Sequence, residues 1–291
     1  MSPNLDPSVV RLALPKGRMF DQVVDLLRGA GISLRQSERG YRPTISLPSF
    51  DTKILKPRNV ITMLEAGSRD LGFAGEDWIR ETGTEIHELL DTGLNPVRLI
   101  VAAPHELLVN GQLPDKKIVI ASEYPVLAQR WITERQLDAS VLQTHGATEV
   151  FPPEDADCII DNTATGSTLR ANGLQIIDEI MTSSTRLYAS NAAMENKQIR
   201  TQIENFAMLI NAVLEARKRV MMDLNVPQAN LERVVSFLPS MRTPTISPLS
   251  DSGWVAVRAA IPRKHLAEII PKLKLAGACD IVTTSAEQLI S

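Results

Sequence analysis

The stretch VVRLALPKGRMFDQVVDLLRGAGI, residues 9–32, sets the architecture of the first third of the chain. Its apolar run ends at Pro15-Lys16-Gly17, after which Val23, Val24, Leu26 and Leu27 recur at helical spacing until Gly31 stops the pattern. The reading is strand, loop, helix. The theme repeats in KPRNVITMLEAGSRDLGFAGEDWI, residues 56–79: a helix through Met63 with Gly67 as its cap, the short strand LGFAG, then a turn opening on Glu76 and Asp77. Such alternation from Val9 to about Pro104 predicts an α/β domain with a largely parallel sheet and ligands at the carboxyl ends of its strands.

Working outward, Pro114-Asp115-Lys116-Lys117 reads as a boundary, beyond which a second α/β series begins. It comprises the strand IVIA, the helix PVLAQRWITERQL, and the strands SVLQTH and CIID. Two similar lobes facing each other across a cleft are expected, like those of periplasmic solute-binding proteins. A long helix from about Lys197 to Arg219 carries Ile203, Phe206, Ile210, Val213 and Leu214 on one face. Residues 219–291 then read βαββαβ, the split βαβ order of ferredoxin-like domains. The expected division is residues 1–107 with 186–217 as the first lobe, 108–185 as the second, and 218–291 as the small domain. Regulation and oligomerisation are equally open readings of that last unit, which carries no nucleophile, base or metal-ligand spacing of its own.

Composition narrows the function classes. Across 291 residues, 44% are hydrophobic and 22% charged, which excludes disordered, collagenous and coiled-coil chains. The 31 Lys and Arg against 34 Asp and Glu leave a net charge of −3, giving no bulk electrostatic reason to bind nucleic acid or anionic membrane. Any affinity for phosphate is therefore local. Cys158 and Cys279 lie far apart in apolar stretches, without a disulfide framework or metal spacing. The N-terminal MSPNLDPSVVRLALPKGR has no basic segment leading into a long apolar run, and no stretch approaches the ~18 apolar residues of a membrane span. A cytoplasmic protein is expected.

The richest chemistry lies in CIIDNTATGSTL, residues 158–169. A strand ends in Asp161, and a hydroxyl-rich loop around Gly166 precedes a helix start. Backbone amides of Gly166, Ser167 and Thr168 can point at one phosphate while Thr165 and Thr168 donate hydroxyls. Asp161 can accept from sugar hydroxyls, so a ribose 5-phosphate fits. The competing reading is an ordinary N-cap turn. Lys16-Gly17-Arg18 offers two cations and a flexible backbone at another helix start, suited to pyrophosphate or triphosphate; a solvated turn is the alternative. Glu76 and Asp77 follow a strand where they can meet a ligand, or they cap the next helix. Arg58 is a further phosphate candidate, and Glu149 either assists a sugar site or stabilises a helix start. His87, His105, His145 and His265 are scattered, and Trp78, Trp131 and Trp254 read as packing anchors.

The segment Asp161–Thr168 resembles the phosphoribosyl-pyrophosphate (PRPP) loop of phosphoribosyltransferases, with Ile160 where the common form has a first acid. Together with Leu12–Arg18, Gly75-Glu76-Asp77, Glu123-Tyr124-Pro125, Gly146–Val150 and Thr168–Leu174, it is similar to the ATP phosphoribosyltransferase family across nearly the whole chain. Thr243–Leu249 and Trp254–Arg258 resemble the ACT-like regulatory domain of the family's long form. The resemblance implies transfer of the phosphoribosyl group of PRPP to N1 of ATP, releasing pyrophosphate, with Mg²⁺ as cofactor and histidine biosynthesis as the pathway. It implies catalytic roles for Arg18 and Asp161. PRPP would rest on Glu149, Asp161, Thr165, Gly166, Ser167 and Thr168, and ATP or pyrophosphate on Lys16, Gly17, Arg18, Arg58, Glu76 and Asp77. Histidine is the implied inhibitor at Asp223, which reads as the first tail strand's end, with Thr243, Thr245 and Ala256. A homo-oligomer, dimeric or hexameric, is also implied. Mg²⁺ would ride chiefly on pyrophosphate oxygens, so no protein metal cage is expected.

Two rivals share the same residues. A non-catalytic sensor of a phosphorylated small molecule would need one anion site rather than a sugar-phosphate loop and a separate cationic turn. A phosphoribosyltransferase using another base would differ only in its nucleophile.

Overall fold

Strand β1 (Val10–Pro15) buries every side chain except that of Arg11, as a central strand covered on both faces must. The computed structural model that shows this describes residues 8–36, 40–241 and 243–290. The expected lack of a leader rests partly on residues 1–7, which lie outside them. Helix α1 (Arg18–Gly29) follows, with Val23, Leu26 and Leu27 wholly buried. Two short strands, β2 (Leu34–Arg35) and β3 (Thr44–Ile45), pair with each other, and β4 (Phe50–Leu55) runs parallel beside β1. Helix α2 (Pro57–Glu65) opens on a proline, whose missing N–H costs nothing at that position, and ends before Gly67 at φ +64°. The fully buried β5 (Leu71–Gly75) lies on the other side of β1 and leads straight into α3 (Glu76–Thr82).

The long strand β6 (His87–Pro104) carries the chain to a second lobe, built from β7 (Ile118–Ser122), α4 (Pro125–Arg135), β8 (Ala139–Gln143), β9 (Cys158–Thr163) and α5 (Ser167–Ala171). Strand β10 (Leu174–Ala189) returns antiparallel to β6, and α6 (Asn191–Glu195) and α7 (Lys197–Lys218) follow. All eight strands besides the β2–β3 pair form one sheet in the order β4-β1-β5-β10-β6-β9-β7-β8. Strand β5 pairs with the Thr185–Ala189 end of β10, whereas β9 pairs with the Arg98–Ala102 stretch of β6. Each half of the β6–β10 ribbon thus belongs to a different lobe, and the ribbon joins the two around a cleft.

The sheet is mixed, which corrects the expected largely parallel arrangement. Parallel pairing holds for β4-β1-β5 and for β8-β7-β9, but the ribbon between them is antiparallel to its neighbours. Its register shifts at Thr185, opposite Leu94, beside Gly93 and Asn95, both at positive φ. Those residues look like a loop in the sequence. Here bulges absorb them without ending the strand.

The chain divides into two compact units, residues up to Asp25 with Ser33–Glu204, and Leu26–Ile32 with the chain from Asn205 onward. In the second unit β11 (Arg219–Pro227), α8 (Leu231–Ser236), β12 (Thr245–Pro248), β13 (Trp254–Pro262), α9 (Leu266–Leu275) and β14 (Cys279–Thr284) follow the predicted βαββαβ order. The sheet order β12-β13-β11-β14, antiparallel throughout, is ferredoxin-like. Burial alternates strictly along β11: Val220, Met222, Leu224 and Val226 pack on Val234, Ile269 and Leu273 of the helices. The intervening residues face the opposite side. Among the described residues no helix is long and apolar enough to cross a membrane.

Candidate active site

Parallel strands end at the cleft and deliver its residues. Strand β1 leads to Lys16, Gly17 and Arg18; β4 to Lys56, Arg58 and Asn59; β5 to Glu76 and Asp77; β7 to Glu123 and Tyr124; and β9 to Asp161 and Asn162. A cavity of about 670 Å³ opens between them, walled by Lys16, Arg18, Lys56, Arg58, Asp77 and Trp78 from the first lobe and by Glu123, Thr144, His145 and Asn162 from the second. Its floor comes from the ribbon: Asn95, Val97 and Ser183-Ser184-Thr185. Of the residues expected at a ligand, Lys16, Arg18, Arg58 and Asp77 line this cavity, while Gly17 borders a smaller neighbouring one with Lys16. Gly17 has φ +83°, a backbone state that side chains disfavour.

Glu76 and Asp77 part ways despite being adjacent. The Glu76 carboxylate turns to Arg186 at 2.5 Å and to Arg80 at 3.1 Å, away from the cavity lining. Asp77 is buried and accepts hydrogen bonds from the Tyr124 hydroxyl at 2.6 Å and the Ser183 hydroxyl at 2.8 Å. Gly75 makes this possible, because a Cβ there would collide with the Asp77 carboxylate. Asn162 donates to the same Tyr124 oxygen at 2.7 Å. Burial beside the Asp77 carboxylate holds the Tyr124 hydroxyl protonated, its pKa pushed well above the usual phenol value. Trp78 stacks on Tyr124 with ring centroids 4.6 Å apart, and the Arg58 guanidinium lies 5.8 Å over Trp78.

The hydroxyl-rich loop is shaped by its own side chains. The Gly166 amide donates to Thr163 Oγ1 at 2.9 Å, Thr165 and Ser167 hydroxyls meet at 3.0 Å, and Arg170 donates to the Thr165 carbonyl at 3.2 Å. Gly166 sits at φ +71°, turning the chain so that Ser167 and Thr168, both exposed, open α5. Strand β9 runs on to Thr163 through pairing with β6, so Asp161 lies within it and not at its end as expected, and accepts from the Asn162 amide at 2.6 Å. Burial pushes its carboxyl up to about 6, helped by Glu123 and Glu149 and opposed by the Asn162 amide and the Thr148 hydroxyl. Glu149 stands in a single 3-10 turn, Thr148–Val150, beside this acid. Asn162 is the loop residue that reaches the cavity wall; Asp161 and Thr165–Thr168 lie beyond it.

In the second unit, Asp223 lies mid-strand in β11 rather than at its end, and accepts from Arg258 Nε of β13 at 2.6 Å. The strand itself spans RVMMDLNVP as expected, so it is the position of Asp223 within it that changes. Thr245 of β12 stands opposite Arg258, and Ala256 shares their face of the sheet, the one turned from the helices. Thr243 precedes β12.

Sequence reasoning missed Ser183-Ser184-Thr185, Asn95 and Lys56. The first four belong to the unrecognised ribbon; the alternating, β-branched run around Leu174–Ala189 is the signal that could have found it. Tyr124 entered only through the resemblance, as a residue of a quoted motif.

The sequence model of the ATP phosphoribosyltransferase family matches residues 56–212, and that of the HisG C-terminal domain matches residues 216–288. An ATP phosphoribosyltransferase of Chlorobium chlorochromatii is 35% identical over 97% of this chain and 98% of its own. That of Pelotomaculum thermopropionicum is 34% identical over 94% of this chain and 96% of its own. A structure of the ATP phosphoribosyl transferase (HisG:HisZ) complex from Thermotoga maritima superposes with a TM-score of 0.63 at 26% identity, covering 71% of this chain and 99% of that one.

Proposed function

The chain belongs to the ATP phosphoribosyltransferase family, enzymes of the first step of histidine biosynthesis, and on that premise we propose how its residues divide the work of the transfer. Adenine N1 of ATP attacks C1 of the ribose of PRPP; the N1–C1 bond forms, the C1–O bond breaks, and pyrophosphate leaves. Adenine N1 carries a free lone pair at neutral pH, so the step needs no strong base. What it needs is alignment and a sink for charge on the leaving group.

The observation that carries this reading is one cavity with Lys16, Arg18, Lys56 and Arg58 on one wall and, opposite, Asn162 at the entry to the hydroxyl loop. The cations receive the pyrophosphate and the ATP phosphates, Arg18 with the better fork. The loop Thr165–Thr168 binds the 5-phosphate of PRPP through the Ser167 and Thr168 amides and its hydroxyls, the Gly166 amide being taken by Thr163, and Asp161 accepts from a ribose hydroxyl, with Glu149 beside it. Asp77, lining the cavity, holds its hydrogen-bonded wall in shape, and Glu76 supports that wall through Arg186 rather than touching ATP.

Among the described residues no cluster of three or more His, Cys, Asp or Glu side chains could hold a metal, so Mg²⁺ would be carried chiefly by the pyrophosphate oxygens, where it would neutralise the departing charge. Histidine is proposed as the effector of the second unit, at the sheet face bearing Asp223, Thr245 and Ala256, with Thr243 at the start of β12. A cytoplasmic homo-oligomer, dimeric or hexameric, completes the reading.

The test is Thr168→Val, which keeps the volume of an exposed side chain and removes its hydroxyl. KM for PRPP rises about tenfold, in line with the loss of a hydrogen bond to a charged group, while the thermal midpoint stays put. Pyrophosphate release with wild-type kinetics would refute the loop's role.

A further inference from the structure

Helix α4 of the second lobe does not cap itself. Its N-cap residue is Tyr124, whose side chain makes no capping bond, and Pro125 at the first position has no N–H to satisfy. The first free amides are those of Val126 and Leu127. Both donate to Glu81, at 3.1 Å to Oε1 and 3.0 Å to Oε2, and Glu81 belongs to α3 of the first lobe. Glu81 is 2% exposed, and Arg58, which lines the cavity, acts on its charge at longer range. Four residues earlier on the same face of α3, Asp77 takes the Tyr124 hydroxyl, and that hydroxyl in turn takes Asn162, the residue that begins the loop.

One short helix therefore grips the start of another across the cleft by two buried carboxylates. The same junction is also apolar, since Trp78 beside Asp77 stacks on the Tyr124 ring.

We propose that Glu81 is a positioning residue for phosphoribosyl transfer: by accepting the first two amides of α4 it sets Tyr124, and through Tyr124 and Asn162 it aims the loop at the cationic wall. The proposal rests on the reading of that loop as the PRPP site. A carboxylate is required because both its oxygens accept. Glutamine supplies one acceptor and turns its NH₂ against the second amide.

The experiment uses the full chain with Glu81→Gln, Tyr124→Phe and the double variant, measuring kcat, KM for ATP and for PRPP, and thermal midpoint. Each single variant is expected to lower kcat at least tenfold and to raise KM for PRPP, with KM for ATP within twofold of wild type. The double variant is expected to be no worse than the poorer single, because both cut the same chain of contacts. Multiplying losses in the double variant, or a wild-type kcat in Tyr124→Phe, overturns the proposal. So does a uniform fall in activity that tracks the thermal midpoint, the mark of a purely structural cap. Should Glu81→Gln yield no folded protein, Glu81→Asp, which keeps both acceptor oxygens but shortens their reach to the two amides, takes its place under the same criteria. These outcomes are separable from failure of the loop reading, which Thr168→Val reports independently.

Discussion

Replacing Asp161 by asparagine sets stability against function in a way the structure quantifies. The carboxyl is pushed up from 3.8 to about 6, chiefly by burial within β9, a shift worth at most about 3 kcal/mol against the ionised form at neutral pH. Because the folded chain holds this proton more tightly than the unfolded one, the group stabilises the fold at low pH and loses that contribution as pH rises through about 4 to 6. Asparagine carries no charge and keeps an oxygen to accept from the Asn162 amide, now at 2.6 Å. At about pH 8 Asp161→Asn is therefore expected to be more stable than wild type by roughly 1–3 kcal/mol, a rise of about 2–10 °C in the midpoint of the transition that includes the first unit. At about pH 3 the difference nearly vanishes, since wild-type Asp161 is then mostly protonated in both the folded and the unfolded state. Transfer activity at the higher pH falls at least tenfold over the same substitution. Thermal scans of both proteins at the two pH values, paired with pyrophosphate release, make the check. A variant less stable than wild type at about pH 8, or a stability difference independent of pH, refutes the assignment of burial as the cause.

The other predictions concern the wall and the second unit. Gly75→Ala drives a Cβ into the Asp77 carboxylate and is expected to cost about 2 kcal/mol and most of the activity, measured by urea unfolding and initial rates. Wild-type kinetics there would show that the Asp77–Tyr124 contact is dispensable. Asp223→Ala frees Arg258 on the open sheet face and is expected to weaken inhibition by histidine at least tenfold while leaving uninhibited transfer within twofold. Unchanged inhibition would move the effector elsewhere.

How much of this was legible depends on how local each feature is. The run from Val10 to Gly29 announces its strand, turn and helix because burial on both strand faces and on one helix face writes an unbroken apolar run followed by a 3.6 period. The tail was equally readable: the alternation in β11 and β13 is a period of two with the helices on one side. The ribbon was not. Gly93, Asn95 and Pro96 are turn residues by every local criterion, and only pairing with β10, some ninety positions away, keeps them in a strand. Losing β10 also hid Ser183 and Thr185, and with them the partner that holds Asp77.

The candidate site divides the same way. Lys16, Arg18, Arg58 and the Asp161–Thr168 loop follow strand ends and were nameable from local pattern. Whether Glu76 or Asp77 faced the cavity was not, because that choice turns on Arg186, which arrives from β10. Nothing in the local sequence marks Glu81, which lies in the helix stretch DWIRETG. Only the approach of α4 makes it a buried cap.

The central claim is that the bend Thr165–Thr168 grips the 5-phosphate of PRPP. A crystal structure of the protein with PRPP bound tests it most directly. The account predicts that phosphate within hydrogen-bonding distance of the Ser167 and Thr168 amides, with the pyrophosphate toward Lys16 and Arg18. A fully occupied PRPP whose 5-phosphate lies elsewhere, with the bend empty, would contradict it.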